Sequence, residues 1–363
     1  MSRKKVPLQP APRRRGVAFY GKALLANVFM FVLALMAGEF ACRYWREGGV
    51  LAALRSLADD RAMPSDLGTH DWLEKDSLRG YVLRAGVHGT NELHVRHGPI
   101  AKPKPASEFR LLVLGDSVAF PADGFVARIR DACKQSGAMT TTVVNAATPG
   151  YTTSQERSHL DAICAAIEPD AVLLQYCCND NHRFLHQLTD DGAWLITQEA
   201  RRALLPEGDG LLLGIARWSY LAFEARRILL GNRPKDRVFP WRDDPAFAAA
   251  WREDSWLLVR QEIEAMRERA SVASAKFAVV AVPFEPQLSL ETLGLFEKEA
   301  LMPQRMLKSI CSDAGIPLLD LHATFEASQD DVLYTDGIHL SERGHEVAAR
   351  ALLPFLRSQG LLP

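Results

Sequence analysis

From Phe109 onward the chain alternates short apolar runs with amphipathic helical patterns, and this alternation constrains the fold more than any other feature of its 363 residues. The runs are Arg110–Leu114, Thr141–Asn145, Ala171–Cys177, Phe277–Val282 and Pro317–Leu321. Each has the length of a buried strand rather than of a helix. Between them apolar residues recur at helical spacing: Phe125, Val126, Ile129, Ala132 and Cys133; Leu160, Ile163, Cys164 and Ile167; Met306, Leu307, Ile310 and Cys311. A last helix begins with Ser341 as N-cap, buries Val347, Ala348, Ala351, Leu352 and Phe355, and stops near Gly360. The pattern predicts the α/β class: a mostly parallel five-stranded sheet covered on both faces, a three-layer α/β/α sandwich. Ligands of such sheets bind beyond the carboxyl ends of the strands.

Four blocks of polar residues fall at that edge. The first strand ends in Gly115-Asp116-Ser117, which presents a hydroxyl where a helix begins. After the second strand comes Asn145-Ala146-Ala147-Thr148-Pro149-Gly150-Tyr151, whose glycine lets a backbone N–H approach a ligand closely. The third strand is followed by Cys178-Asn179-Asp180, with a side-chain amide donor, and the loop before the last helix holds Asp336 and His339 three residues apart. Acyl transfer needs a serine, a base to take its proton and a carboxylate to orient that base, and all three are present.

These four blocks, in this order, resemble the SGNH (GDSL-type) hydrolase family over about residues 110–358. The resemblance implies a flavodoxin-like SGNH fold and assigns Ser117 as nucleophile, His339 as base and Asp336 as its orienter. It further implies an oxyanion hole made by the N–H groups of Ser117 and Gly150 and the amide of Asn179, with no cofactor and no metal. One departure is that Cys177 stands where the third block usually has glycine. Gly115-Asp116-Ser117-Val118-Ala119 also nearly matches the Gly-x-Ser-x-Gly elbow, but the serine follows the first sheet strand, and Asp and His share one loop, unlike that family. Asp116 and Asp180 read as loop-ordering carboxylates. His94 with His97, and His182 with His186, have ligand-like spacing without a carboxylate or cysteine in register, and read as hydrogen-bonded or solvated.

The amino end carries a second message. Arg3, Lys4, Lys5, Arg13, Arg14 and Arg15 precede the apolar stretch Val17–Cys42, interrupted by Lys22, Asn27 and Glu39. A span needs about 20 apolar residues, and the flanking charges can snorkel. No Ala-x-Ala site follows, which favours an uncleaved anchor with the basic end retained in the cytoplasm. The expected organisation is therefore a basic cytoplasmic tail (1–16), a transmembrane anchor (17–42), a stalk and leader (43–108) and a hydrolase domain (109–363) lying in the periplasm or outside the cell. Between Asp76 and Glu108 short alternating segments such as Glu92-Leu93-His94-Val95 predict extended structure or a small hairpin. An insertion of about 181–270, with an apolar helical stretch Leu211–Leu230 and a second helical stretch from Pro245 onward, is expected to form a lid or substrate wall. Trp194, Trp218, Tyr220 and Trp241 there suit either sugar stacking or packing.

A net charge of −1 gives no footprint for nucleic acid. Six cysteines without paired Cys-x-x-Cys spacing read mostly as buried small apolar residues, with one disulfide left open. The resulting expectation is a membrane-anchored serine esterase acting on an acyl group, favoured acetyl, of an envelope or exported polysaccharide. The rivals are an O-acetyltransferase with the same site, a lipase or lysophospholipase, and a non-catalytic carbohydrate-binding component.

Overall fold

The computed structural model describes residues 17–47, 50, 64–134, 140–190, 192–197, 200, 221, 246–288, 299–328 and 332–363. Helix α1 (Val17–Glu47) contains Leu24–Tyr44, 21 residues long and apolar enough to cross a membrane. At 1.5 Å per residue this segment reaches about 31 Å, the thickness of a bilayer's hydrocarbon. Its apolar side chains stand open, Leu25 being 72% exposed, the reverse of a soluble core helix. Near its carboxyl end Glu39 pairs with Arg43 at 2.8 Å and accepts the N–H of Leu221 at 3.0 Å.

The leader is folded. Strand β1 (Pro64–Thr69) precedes an antiparallel hairpin of β2 (Leu73–Asp76) and β3 (Gly80–Leu83). The Asp76 carboxylate closes that turn by accepting the N–H groups of Leu78 and Arg79 and the Arg79 guanidinium, the last at 2.7 Å.

The main layer follows in the order β4 (Glu108–Leu114), α2 (Phe125–Lys134), β5 (Thr140–Asn145), α3 (Thr153–Ile167) and β6 (Ala171–Tyr176). A hairpin of β7 (His186–Leu188) and β8 (Ala193–Ile196) leaves it, and β8 pairs antiparallel with β1 of the leader. The chain then returns through α4 (Ser255–Val272), β9 (Lys276–Ala281), α5 (Met302–Asp313), β10 (Leu318–Asp320), α6 (His322–Glu326) and α7 (Glu342–Ser358).

The five-stranded sheet has the order β10-β9-β6-β4-β5, and every neighbouring pair is parallel. Successive side chains of β4 face opposite layers, as a strand's geometry demands. Leu111 and Val113 join Phe125, Val126 and Ile129 of α2 and Val347 and Leu352 of α7. Leu112 and Leu114 join Leu160 and Ile163 of α3, Val259 and Ile263 of α4, and Leu307 of α5. This is the three-layer sandwich expected, with each strand found within two residues of its expected bounds.

Two expectations are corrected. The helical stretch expected from Pro245 onward within the insertion is α4, yet its Trp256, Val259, Ile263 and Met266 are buried in the layer that covers the sheet. It is the crossover helix between β6 and β9. The leader is more than a stalk, because Leu73, Tyr81 and Leu83 are buried against Tyr151 and Trp194. The stretch Leu211–Leu230, apart from Leu221, and Trp218, Tyr220 and Trp241 lie outside the described residues.

Candidate active site

Strand β4 delivers Ser117 to the carboxyl edge of the sheet through a turn that only glycine can begin. A side chain on Gly115 would come within 2.5 Å of Gln175 Oε1 and 3.1 Å of Ala119 Cβ. Next to it, the fully buried Asp116 accepts the Val118 N–H at 2.9 Å and the Asn179 amide at 2.8 Å. Burial pushes its carboxyl above the ordinary range, while those two donors work against the shift. Asp116 thus orders two of the four blocks at once.

The third block is held from below. Asp180 accepts the Cys177 N–H at 2.7 Å and returns its own N–H to the Cys177 carbonyl at 3.1 Å. Cys177, which replaces the family's glycine, is buried with Val113 and Val280, so its side chain fills core beneath the loop. Asn179 remains at the edge, with one amide hydrogen on Asp116 and one left over. Its Oδ1 is buried without a hydrogen-bond partner among the described residues.

Gly150 adopts φ +71°, a conformation that costs other residues strain. A Cβ there would lie 2.4 Å from Cζ2 of Trp194 and 2.7 Å from Nδ1 of His186. Trp194 is buried, with its ring 4.1 Å from that of His186. It therefore packs over the glycine.

The fourth block is a loop closed on itself. Asp336 Oδ1 accepts the N–H groups of Ile338 and His339 at 3.2 and 2.9 Å, and Thr335 donates its N–H to the His339 carbonyl at 2.9 Å. His339 Nδ1 stands 2.7 Å from Asp336 Oδ2, and His339 Nε2 stands 2.9 Å from Ser117 Oγ. The tautomer with its proton on Nδ1 satisfies both contacts: Nδ1–H donates to the carboxylate, and Nε2 accepts the serine hydroxyl. The structure therefore brings Ser117, His339 and Asp336 into one hydrogen-bonded line, with Asn179 joined to Ser117's loop through Asp116. Such a line can take a proton from the serine and return it to a leaving alcohol.

Beneath the edge lies a buried acidic pair. Glu156 and Asp180 are both pushed well up, by burial first and then by repulsion from neighbouring carboxylates, each other included for Asp180. Both oxygens of Glu156 lack a hydrogen-bond partner among the described residues. Nothing in the local sequence marks Glu156, because its partner lies in another block.

The histidines with ligand-like spacing have other partners. His94 Nδ1 bonds the Leu83 carbonyl at 2.8 Å, and His182 Nε2 meets the Ala246 carbonyl at 3.2 Å. All six cysteines are among the described residues, and none forms a disulfide.

The chain is similar to the solved structure of TesA, at 16% identity and a TM-score of 0.42, covering 69% of this chain and 99% of that one. It is likewise similar to a catalytic mutant of Axe2, an acetylxylan esterase from Geobacillus stearothermophilus, at 16% identity and a TM-score of 0.43, with coverage of 69% and 94%. LAE5, an alpha/beta hydrolase enzyme from the metagenome of Lake Arreo, Spain, stands at 15% and 0.41, with coverage of 70% and 96%. No curated protein sequence matches the chain. The family described as GDSL-like Lipase/Acylhydrolase matches residues 113–347, nearly two thirds of the length and from within β4 to within α7. That span encloses all four blocks, and the chain belongs to this family as a hydrolase of ester bonds.

Proposed function

We propose that this hydrolase is a membrane-anchored serine esterase that removes an acyl group, favoured acetyl, from an envelope or exported polysaccharide. The reading rests above all on the contact of 2.9 Å between His339 Nε2 and Ser117 Oγ, groups 222 residues apart in the chain. Only a folded site aligns two such distant side chains with a third, and acyl transfer needs that alignment.

In this mechanism His339 takes the Ser117 proton as Oγ attacks the ester carbonyl. Asp336 holds the imidazole in the accepting tautomer and stabilises its charged form. The N–H groups of Ser117 and Gly150 donate to no protein acceptor among the described residues, and both donate to the oxyanion together with the Asn179 amide. One such donor is worth about 3 kcal/mol in the barrier. His339 then gives that proton to the sugar oxygen as its bond to the acyl carbon breaks, and a water activated by the same base releases the acid.

Openness supports hydrolysis over transfer. The His339 and Asp336 side chains are 43% and 54% exposed, so water has ready access to an acyl-enzyme. The apolar helix α1 and the basic residues before it support an anchor with its amino end in the cytoplasm. That orientation puts the site outside, where acylated polymers of the envelope are within reach.

The test compares the full chain in mild detergent with Ser117→Ala on p-nitrophenyl acetate and on an acetylated polysaccharide. Acetate release by the first and its loss in the second is the expected result. Hydrolysis undiminished by Ser117→Ala would remove the assignment of the nucleophile. Acetyl appearing on an added sugar acceptor, with no free acetate, would replace hydrolysis by transfer.

A further inference from the structure

The loop that carries Gly150 is held from outside the parallel sheet as well as from within it. The Tyr81 hydroxyl, on β3 of the leader, donates to the carbonyl of Pro149 at 3.0 Å. The Tyr151 hydroxyl donates in turn to the Tyr81 carbonyl at 2.7 Å. Both tyrosines are fully buried with ring centroids 5.4 Å apart, so neither hydroxyl is open to bulk water. Gly150 is thereby bracketed, on the residue before and the residue after, by one residue of the leader hairpin.

The bond to Pro149 matters because of peptide geometry. The Pro149 carbonyl and the Gly150 N–H belong to one rigid plane and point in opposite directions. Fixing the carbonyl fixes the direction of the N–H. A glycine at φ +71° has little steric resistance of its own to rotation of that plane, and rotation would turn the N–H away from any ligand. A hydrogen bond accepted by the carbonyl also polarises the amide and makes its N–H a stronger donor.

The same leader reaches the serine's side of the cleft. The Arg96 N–H donates to the Asn145 carbonyl at 2.8 Å, and its guanidinium lies 4.4 Å over the Phe120 ring. Trp72 stacks on that same Phe120 ring with centroids 5.9 Å apart, and the Phe120 N–H donates to the Asp116 carbonyl at 3.1 Å. The leader thus ties the Ser117 loop to the Gly150 loop.

We propose that Tyr81 is a positioning residue of the reaction: through the Pro149 carbonyl its hydroxyl aims and polarises the Gly150 N–H at the developing oxyanion, which makes the leader hairpin part of the catalytic apparatus. This inference rests on the reading of Gly150 as an oxyanion donor and goes beyond it. A residue acting only through the transition state changes kcat and leaves KM alone.

The experiment measures kcat and KM of the full chain, Tyr81→Phe, Tyr151→Phe and Ser117→Ala on p-nitrophenyl acetate, at several temperatures below melting. It also measures the rate at which an alkyl phosphonate ester, a tetrahedral mimic, derivatises Ser117. Tyr81→Phe keeps the ring and is expected to lose about ten-fold in kcat with KM unchanged. The phosphonate rate should fall by the same factor, and the loss should persist on cooling. Tyr151→Phe frees the Tyr81 carbonyl but keeps the bond to Pro149, and is expected to lose two- to five-fold in the same way; it serves alone if Tyr81→Phe does not fold. Wild-type kcat in the folded variant, or a loss that disappears on cooling as a stability defect would, overturns the proposal. If Ser117→Ala instead hydrolyses the ester as fast as wild type, the failure belongs to the assignment of the nucleophile.

Discussion

The Asp336 carboxylate accepts three donors from its own loop, two backbone N–H groups on one oxygen and the His339 ring on the other. Burial works to raise its carboxyl, but the hydrogen bonds from His339 and the loop outweigh it and hold the group below the ordinary carboxylate range. It is therefore ionised at neutral pH and through mild acid, so the Asp336 carboxyl is expected to contribute no proton to the acid limb of kcat/KM above about pH 4. An acid limb above that pH that Asp336→Asn abolishes would contradict an ionised orienter. Asp336→Asn keeps the size but offers an N–H to Nδ1, favouring the tautomer whose Nε2 cannot accept from serine. A fall in kcat of roughly 10⁴ is expected, and a loss under ten-fold would show that Asp336 does not set the tautomer. At Gly150 the obstacle is space as well as φ, because an alanine Cβ would meet Trp194 at 2.4 Å. Gly150→Ala is expected to lose about 10²-fold in kcat as the N–H is displaced, together with roughly 1–3 kcal/mol of stability. Urea denaturation beside the kinetics checks both.

Helix α7 fixes the far end of the Asp336–His339 loop. Ser341 Oγ accepts the Gly344 N–H at 3.1 Å, and the Ser341 N–H donates to the Leu333 carbonyl at 2.9 Å. Gly344 permits the close approach, since a Cβ there would lie 2.1 Å from the Leu333 oxygen. Losing the cap through Ser341→Ala should cost about 1 kcal/mol, a fall in Tm of roughly 2–4 °C for a domain of this size. An unchanged Tm would mean that the loop, rather than the cap, anchors the helix. This element was legible from the sequence, Ser341 and the apolar face included, because capping and 3.6-residue periodicity are local signals. So were the five strands and the four blocks, each written within a few residues. The docking of the leader was not legible: Tyr81 meets Pro149 across 68 residues, and the alternation around Glu92–Val95 says nothing of which surface it covers. Helix α4 was misplaced for the same reason, since its apolar stripe fits an insertion or a sheet layer equally well until β9 is known to pair with β6.

At the scale of the whole molecule, the leader, the β7–β8 hairpin and the sheet edge meet around buried histidines, and these set how the fold responds to acid. His159 Nδ1 accepts from Arg79 at 2.9 Å; burial, then the Arg79 charge, brings its pKa down to about 3. His186, packed on Trp194, is brought to about 3 chiefly by burial. An unfolded histidine titrates near 6.5, so between about pH 6.5 and 3 the unfolded chain binds protons that the folded chain refuses. Stability from these two groups is therefore full above about pH 6.5 and declines as pH falls through that window. Glu156 and Asp180 act in the opposite sense. Their raised folded values let the native state hold protons that the unfolded chain has released, so their contribution weakens as pH rises above the ordinary carboxylate range. The two effects meet in mild acid, and one substitution separates them. His159→Gln keeps an acceptor for Arg79 and removes one titrating group from the histidine limb. Urea titrations of the full chain in mild detergent at pH 7, 6 and 5 should show the pH slope of stability made less positive by up to about 1.4 kcal/mol per pH unit. An unaltered slope would mean that His159 takes up its proton in the folded state, and that the contact between Arg79 and the α3 imidazole opens before the domain unfolds.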